Sequence, residues 1–308
     1  MVFSGGLVKP GFLRTAAILL SFIVGALLPQ GHELAWLIRW LIMGMLFVVF
    51  LQTKLTRDAL RPSHGWLLAA NIAMGFVAWG VGWVAGGREV ALAAFFCGIT
   101  PTATAAPVIV SFLRGRVDYV VAAFLLTNVV IAALLPAFLP LVLGKAAPTA
   151  FADILGSVGL VVFVPMAAAW LVRKIHPGAT AWPKRLSNVS FGAWVAALFL
   201  ITARVSDFLR THADLPRSLL VEIAILSLVV CGANFVLGRM IGGKEFAREA
   251  SQSLGQKNTT FTIYLALTYA SPLVALGPTC YVLWHNLWNS WQLHVQARAE
   301  AAGSSPRA

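Results

Sequence analysis

A lysine stands at position 257 within SLGQKNTTFT, residues 253–262, in a segment that is otherwise apolar and long enough to cross a bilayer. A charge at bilayer depth costs about 2.5–3.5 kcal/mol on insertion scales, and by default it marks a transport path or a ligand site. The chemistry it offers is electrostatic: an ammonium held in a low dielectric attracts an anion and donates to neutral oxygens. Other side chains could share that work. Asn258, Thr259 and Thr260 lie beside the lysine, Thr102 and Thr104 lie in CGITPTATAAPVIV at 97–110, and His285 and Asn286 lie near the end of the chain. His285 reads equally well as a packing residue, and mid-helix threonines commonly bond back to the preceding turn. Within the apolar segments there are no paired carboxylates, no zinc-type histidine spacing and no Ser/His couple. We therefore expect no enzyme, no metal centre and no cofactor.

The elements that must position these residues are membrane-spanning helices. Of 308 residues, 59% are hydrophobic and 11% charged, and the mean hydropathy is +0.82. That composition excludes an ordinary soluble domain and predicts an all-α polytopic membrane protein. With about 20 residues needed per crossing, ten spans are expected, at roughly 11–29, 34–52, 65–85, 89–113, 118–143, 150–173, 188–208, 217–242, 245–270 and 271–296. The N-terminal run has no small-residue cleavage site after Leu28 and reads as the first span, not as a signal peptide.

The net charge of +12 is scattered through short loops, which argues against a nucleic-acid partner and for positive-inside topology. With both termini cytoplasmic, 16 of the 23 Lys and Arg fall on the inner side, among them Lys9, Lys54, Arg57, Arg114, Arg116, Arg173, Lys174 and Arg307. The outer side takes five: Arg88, Lys145, Arg204, Arg210 and Arg217. Arg39, near the start of the second span, is expected to snorkel outward. The predicted location is the inner (plasma) membrane, with the lipid bilayer as partner. Cys97, Cys231 and Cys280 sit in apolar runs without metal-ligand spacing and read as small core residues.

Two spans cannot be continuous helices. Pro101 and Pro107 interrupt the fourth, and the Gly-Gln-Lys-Asn run at 255–258 interrupts the ninth. The interruptions lie about half the chain apart, with five spans per half. An odd-numbered repeat must be inverted relative to its partner, giving repeats at approximately 11–143 and 150–296. Paired interruptions in inverted halves point to a transporter binding site near the midplane.

Several segments, taken in order, resemble the bile acid:sodium symporter family over nearly the full length: Leu-Ile-Met-Gly-Met at 41–45, the Pro101–Pro107 break, the Arg114-Gly115 turn, the broken ninth span, and Val282-Leu283-Trp284-His285-Asn286. The resemblance implies a single membrane domain over 1–308. Its core would hold helices 3–5 and 8–10, with broken helices four and nine crossing, and a panel of helices 1–2 and 6–7 would move against it. In that family the first break reads Pro-Gly-Gly-Thr-Ala-Ser-Asn, matched here by Pro101, Thr102, Ala103, Thr104, Ala105, Ala106 and Pro107. The Ser and Asn that ligate sodium have become Ala106 and Pro107. The second break reads Glu-x-Gly-x-Gln-Asn, matched by Ser253, Gly255, Lys257 and Asn258, so a serine and a lysine replace the acid and the glutamine. Anchoring on Gly115 places Val120 and Phe124 near the family's hydroxyl ligands.

The resemblance therefore implies a secondary transporter of a small organic anion, working by alternating access. Lys257 stands where sodium would be ligated, so the carrier is expected to be sodium-independent or proton-coupled. The substrate site would comprise Lys257, Asn258, Thr102, Thr104, His285 and Asn286. Two alternatives remain at this point: a metalloid (arsenite-type) carrier of the same superfamily, or a non-transporting ligand-binding receptor.

Overall fold

The computed structural model describes residues 10–52, 59–144 and 148–301. The described residues are almost entirely helical, with no strand among them. Helices α1 (Pro10–Leu27), α2 (Leu37–Gln52), α3 (Pro62–Ile99), α4 (Ala106–Phe112), α5 (Val117–Leu143) and α6 (Pro148–Val158) are followed by α7 (Val164–Ile175), the single turn α8 (Trp182–Arg185), α9 (Ser187–Thr211), α10 (Arg217–Gly255), α11 (Thr259–Tyr269) and α12 (Pro272–Ala301). Five stretches are long and apolar enough to cross a membrane: Pro62–Ile99, Val117–Leu143, Phe151–Ile175, Asn188–Thr211 and Arg217–Gly255. Large apolar side chains such as Leu20, Ile23, Val84, Leu141, Ile175 and Met240 are exposed on their outer faces. In a membrane protein these are the groups that meet lipid. Lys9, Lys54, Arg57, Lys145 and Arg307, which enter the topology argument, lie outside the described residues.

The two longest helices are hairpins. α3 reverses at Gly86-Gly87, where Gly87 takes φ +74°, and α10 reverses at Gly243, φ +59°. A side chain is strained at such angles, so glycine makes the reversal possible. Each pair of limbs then packs backbone to backbone through small residues, as helices do in lipid. A Cβ on Gly98 would meet Met74 O at 2.3 Å, and one on Gly238 would meet Ala250 O at 2.5 Å.

Both hairpins end in an interruption. Residues 100–105 separate α3 from α4, and residues 256–258 separate α10 from α11. Pro101 forces Thr100 out of the helical region, to ψ 129°. Pro107, in the first turn of α4, then restarts the helix where its missing N–H costs nothing. Beyond α4 the chain turns at Arg114, φ +58°, into Gly115.

The Arg114-Gly115 turn locks onto α10. Arg116 N donates to Glu249 Oε1 at 2.7 Å, and a Cβ on Gly115 would stand 2.6 Å from that same oxygen and 2.8 Å from Val110 Cγ1. Gly115→Ala should therefore push Glu249 off the Arg116 amide and cost about 1–3 kcal/mol. Melting of the purified variant in detergent checks it, and an unchanged midpoint would refute the contact.

The helices pack in two groups. α3, α4, α5, α10, α11 and α12 pack chiefly on one another, as do α1, α2, α7 and α9. α6 joins the groups through α5, and α2 and α9 meet α11 across the seam. At the start of α2, the part-buried Arg39 has a partner that its sequence position does not reveal. Its Nε donates across the seam to Tyr264 Oη on α11, 2.9 Å away, because a buried phenol is a better partner for a part-buried guanidinium than bare hydrocarbon.

Candidate functional site

The two interruptions meet. Ala103 N donates to Gln256 O at 2.7 Å and Asn258 N donates to Pro101 O at 2.8 Å, an isolated antiparallel bridge between Thr102 and Lys257. Backbone groups freed by the broken helices are thus satisfied by each other, as they must be at membrane depth. Side chains close the rest. Thr102 Oγ1 donates to Ser253 O at 2.6 Å, and Thr102 N donates to Thr127 Oγ1 at 3.2 Å. Asn128 Nδ2 donates to Thr102 O at 2.9 Å. Thr100 and Thr262 hydroxyls pair at 2.8 Å on the far side of the crossing.

Lys257 is 1% exposed. Its Nζ donates to Asn71 Oδ1 on the first limb of α3 and, at 3.1 Å, to Gly98 O on the second. Among the described residues no carboxylate stands within ion-pair distance of it. The nearest acid along α10, Glu249, is committed to the Arg116 amide. The ammonium therefore ties both limbs of α3 to the α10–α11 break through neutral oxygens.

The six residues singled out in the sequence separate into two sets. Thr102, Lys257 and Asn258 come together at the crossing, where Asn258 Nδ2 lies 3.5 Å from Asn128 Oδ1. Thr104 sits beside them in the first break and, like Asn258, is only partly buried. His285 and Asn286 lie on α12. The His285 ring is buried, packs edge-on against Tyr281 at 5.7 Å, and has no hydrogen-bond partner on Nδ1. Asn286 Nδ2 bonds back to Val282 O in its own helix at 2.7 Å. α12 reaches the crossing through a different residue, Tyr281, whose hydroxyl donates to Gly255 O at 2.9 Å. The tryptophans of this helix pack: Trp288 stacks on Phe235 at 5.0 Å, and Trp284 Nε1 donates to Ala224 O at 3.2 Å.

Several members of the site escape a reading of the sequence. Asn71 is the amide that receives Lys257. Thr127 and Asn128 make the α5 contacts, whereas Val120 and Phe124 are buried in apolar clusters. A polar string of Gln252, Gln256 and Asn289 runs from the break to α12, with Gln252 Nε2 donating to Asn289 Oδ1 at 3.1 Å and Asn289 Nδ2 donating to Gln256 Oε1 at 2.5 Å.

No protein-family model and no curated protein matches the chain.

The donor set at the crossing does not fit a sodium ion. A hard cation needs a cage of free oxygens, preferably anionic. Here Ala106 and Pro107 carry no side-chain oxygen, and Asn71 Oδ1 and Gly98 O already accept from Lys257 Nζ. The arrangement holds the Lys257 amine in place and ties the crossing of the two broken helices to both limbs of α3.

Proposed function

We propose that the chain is a secondary transporter that moves a small organic anion across the membrane by alternating access. One observation carries the proposal: two interrupted helices meet backbone to backbone at their breaks, around a fully buried lysine. Polar backbone at membrane depth is tolerated only where protein buries it or a cavity needs it, and a crossed pair of broken helices is the arrangement transporters use at their midplane.

On this reading the hairpins count as two crossings each and the chain crosses ten times, in two inverted halves. α3 to α5 and α10 to α12 are the core, and α1, α2, α6, α7 and α9 form the panel. The matched hairpins support the repeat, since each reverses at a glycine, ends in a break and is followed by a short helix. The two packing groups support the division into core and panel. The excess of Lys and Arg on one side supports cytoplasmic termini in the inner membrane. The resemblance to bile acid:sodium symporters points the same way.

The sign of the cargo follows from the field at the crossing, where no carboxylate among the described residues pairs with the lysine and the positive end of α11 opens. Lys257 acts as a built-in cation in place of a coupling ion, so transport does not need sodium. Uptake of a panel of labelled mono- and dicarboxylates into proteoliposomes tests this. The expected result is uptake that changes less than about 2-fold when choline replaces sodium, against the much larger loss that follows when a required ligand is missing. Strict dependence on sodium would overturn the role given to Lys257. Saturable binding without counterflow would instead identify a receptor.

A further inference from the structure

A second cationic site lies away from the crossing, at the seam between the two helix groups. A pocket of about 360 Å³ is lined by Trp36, Arg39 and Trp40 of the α2 entrance, Arg204 of α9, and Tyr264 and Leu267 of α11. The two guanidiniums come from different helices and converge on a third. Arg39 Nε donates to Tyr264 Oη at 2.9 Å, its guanidinium carbon lies 5.8 Å from that ring's centre, and Arg204 Nη2 donates to Leu267 O at a long 3.5 Å. Each guanidinium has five N–H donors, so most are unused among the described residues. Neither forms an ion pair there, and the nearest acid along α9, Asp207, is turned to His32 at 3.8 Å. Two partly buried cations thus line one pocket with no carboxylate paired to either among the described residues, so an anion that enters meets donors of matching charge.

The lining defines the ligand. A guanidinium pair receives a carboxylate in bidentate fashion, and Ile38, Leu267 and the exposed indoles of Trp36 and Trp40 offer apolar wall. The volume lies near the lower end for ligand pockets. We infer that this pocket is a recruiting site for a small carboxylate with an apolar body, bound by Arg39 and Arg204. A carboxylate bound bidentately takes the Nε edge of Arg39 that Tyr264 Oη now holds, so its arrival releases that link between α2 and α11. In the orientation proposed above, the pocket faces the outside. That release matters to alternating access and so rests on the transporter reading; the binding does not.

Titration calorimetry on the purified protein in detergent, with 4-phenylbutyrate as the probe and neutral 4-phenylbutyramide as its control, tests the site. The acid should bind saturably and the amide should not. Arg39→Gln and Arg204→Gln should each weaken binding about 10-fold or more, the double variant should lose it, and Arg39→Lys should fall between. Tyr264→Phe frees the Arg39 donors and should tighten binding, whereas a purely structural role for the arginine would predict no gain. The inference is overturned if the wild type does not bind the acid, if acid and amide bind alike, or if the double glutamine variant binds as the wild type does. Binding that follows this pattern without any uptake into proteoliposomes would leave the site standing and remove the transporter reading.

Discussion

Asn71→Leu should be among the most damaging single substitutions in the chain, at about 3–5 kcal/mol. The leucine leaves the Lys257 ammonium buried with only Gly98 O to receive it, and breaking a buried charged contact by removing one partner carries a cost of that size. Lys257→Met should cost less, about 1–3 kcal/mol, because it strands two neutral oxygens, Asn71 Oδ1 and Gly98 O, instead of a charge. The decisive variant combines them. Removing donor and acceptor together leaves no buried charge or amide oxygen stranded, only the Gly98 and Ile99 carbonyls short of a donor, so Lys257→Met with Asn71→Leu should be more stable than Asn71→Leu alone. The two residues touch, so their effects are expected not to add. On the transporter reading, uptake should be lost in both lysine variants, single and double, since Lys257 is gone from each. Melting midpoints of the four proteins in one detergent measure the coupling, and strictly additive changes would show that the lysine is not held by Asn71.

Gly98→Ala should be equally severe for a steric reason. The new methyl would stand 2.3 Å from Met74 O, 2.6 Å from Met74 C and 2.7 Å from Gly75 N. All three atoms are backbone in the opposite limb of the α3 hairpin, so no side chain can move aside. The limbs must part, carrying the Gly98 carbonyl away from Lys257 and Thr100 away from Thr262. A loss of about 3 kcal/mol or more is expected, at the upper end for overpacking. Gly80→Ala is the control: nothing lies within 4 Å of its Cβ position, and alanine in a helix interior gains about 0.5–1 kcal/mol. If Gly98→Ala melts with Gly80→Ala, the close approach of the limbs is wrong.

The helix class and both interruptions were legible because their causes are local. Membrane-length apolar runs, two prolines around a threonine-rich stretch, and a Gly-Gln-Lys-Asn run act on their own segments whatever the rest of the chain does. Lys257 was conspicuous for the same reason. Its partner was not, since nothing local ties Asn71 to a residue 186 positions away, although a lone amide in LLAANIAMGF is itself a signal of buried polar contact. On α5 the sequence reading found the correct face at the wrong depth. Val120, Phe124 and Thr127 share one side of the helix at i, i+4 and i+7 spacing, but the hydroxyl that reaches the crossing belongs to Thr127. That is about 5–10 Å further along the axis. The position of Arg39 near a span boundary did not reveal its partner. Its side chain found a phenol on α11, a choice that depends on which helix stands next to α2.

The bridge between the breaks also bears on how the chain is made. Pro101 O and Ala103 N are satisfied by Asn258 N and Gln256 O, from residues synthesised about 150 positions later. While the first half is in the membrane alone, its break lacks those partners, and each unsatisfied group there costs several kcal/mol. The first half is therefore an unfinished layer whose weak point is closed only when the second half is inserted. Synthesis of the second break and closure of the first are the same event, and a chain stopped short of residue 256 leaves Pro101 O and Ala103 N without these partners.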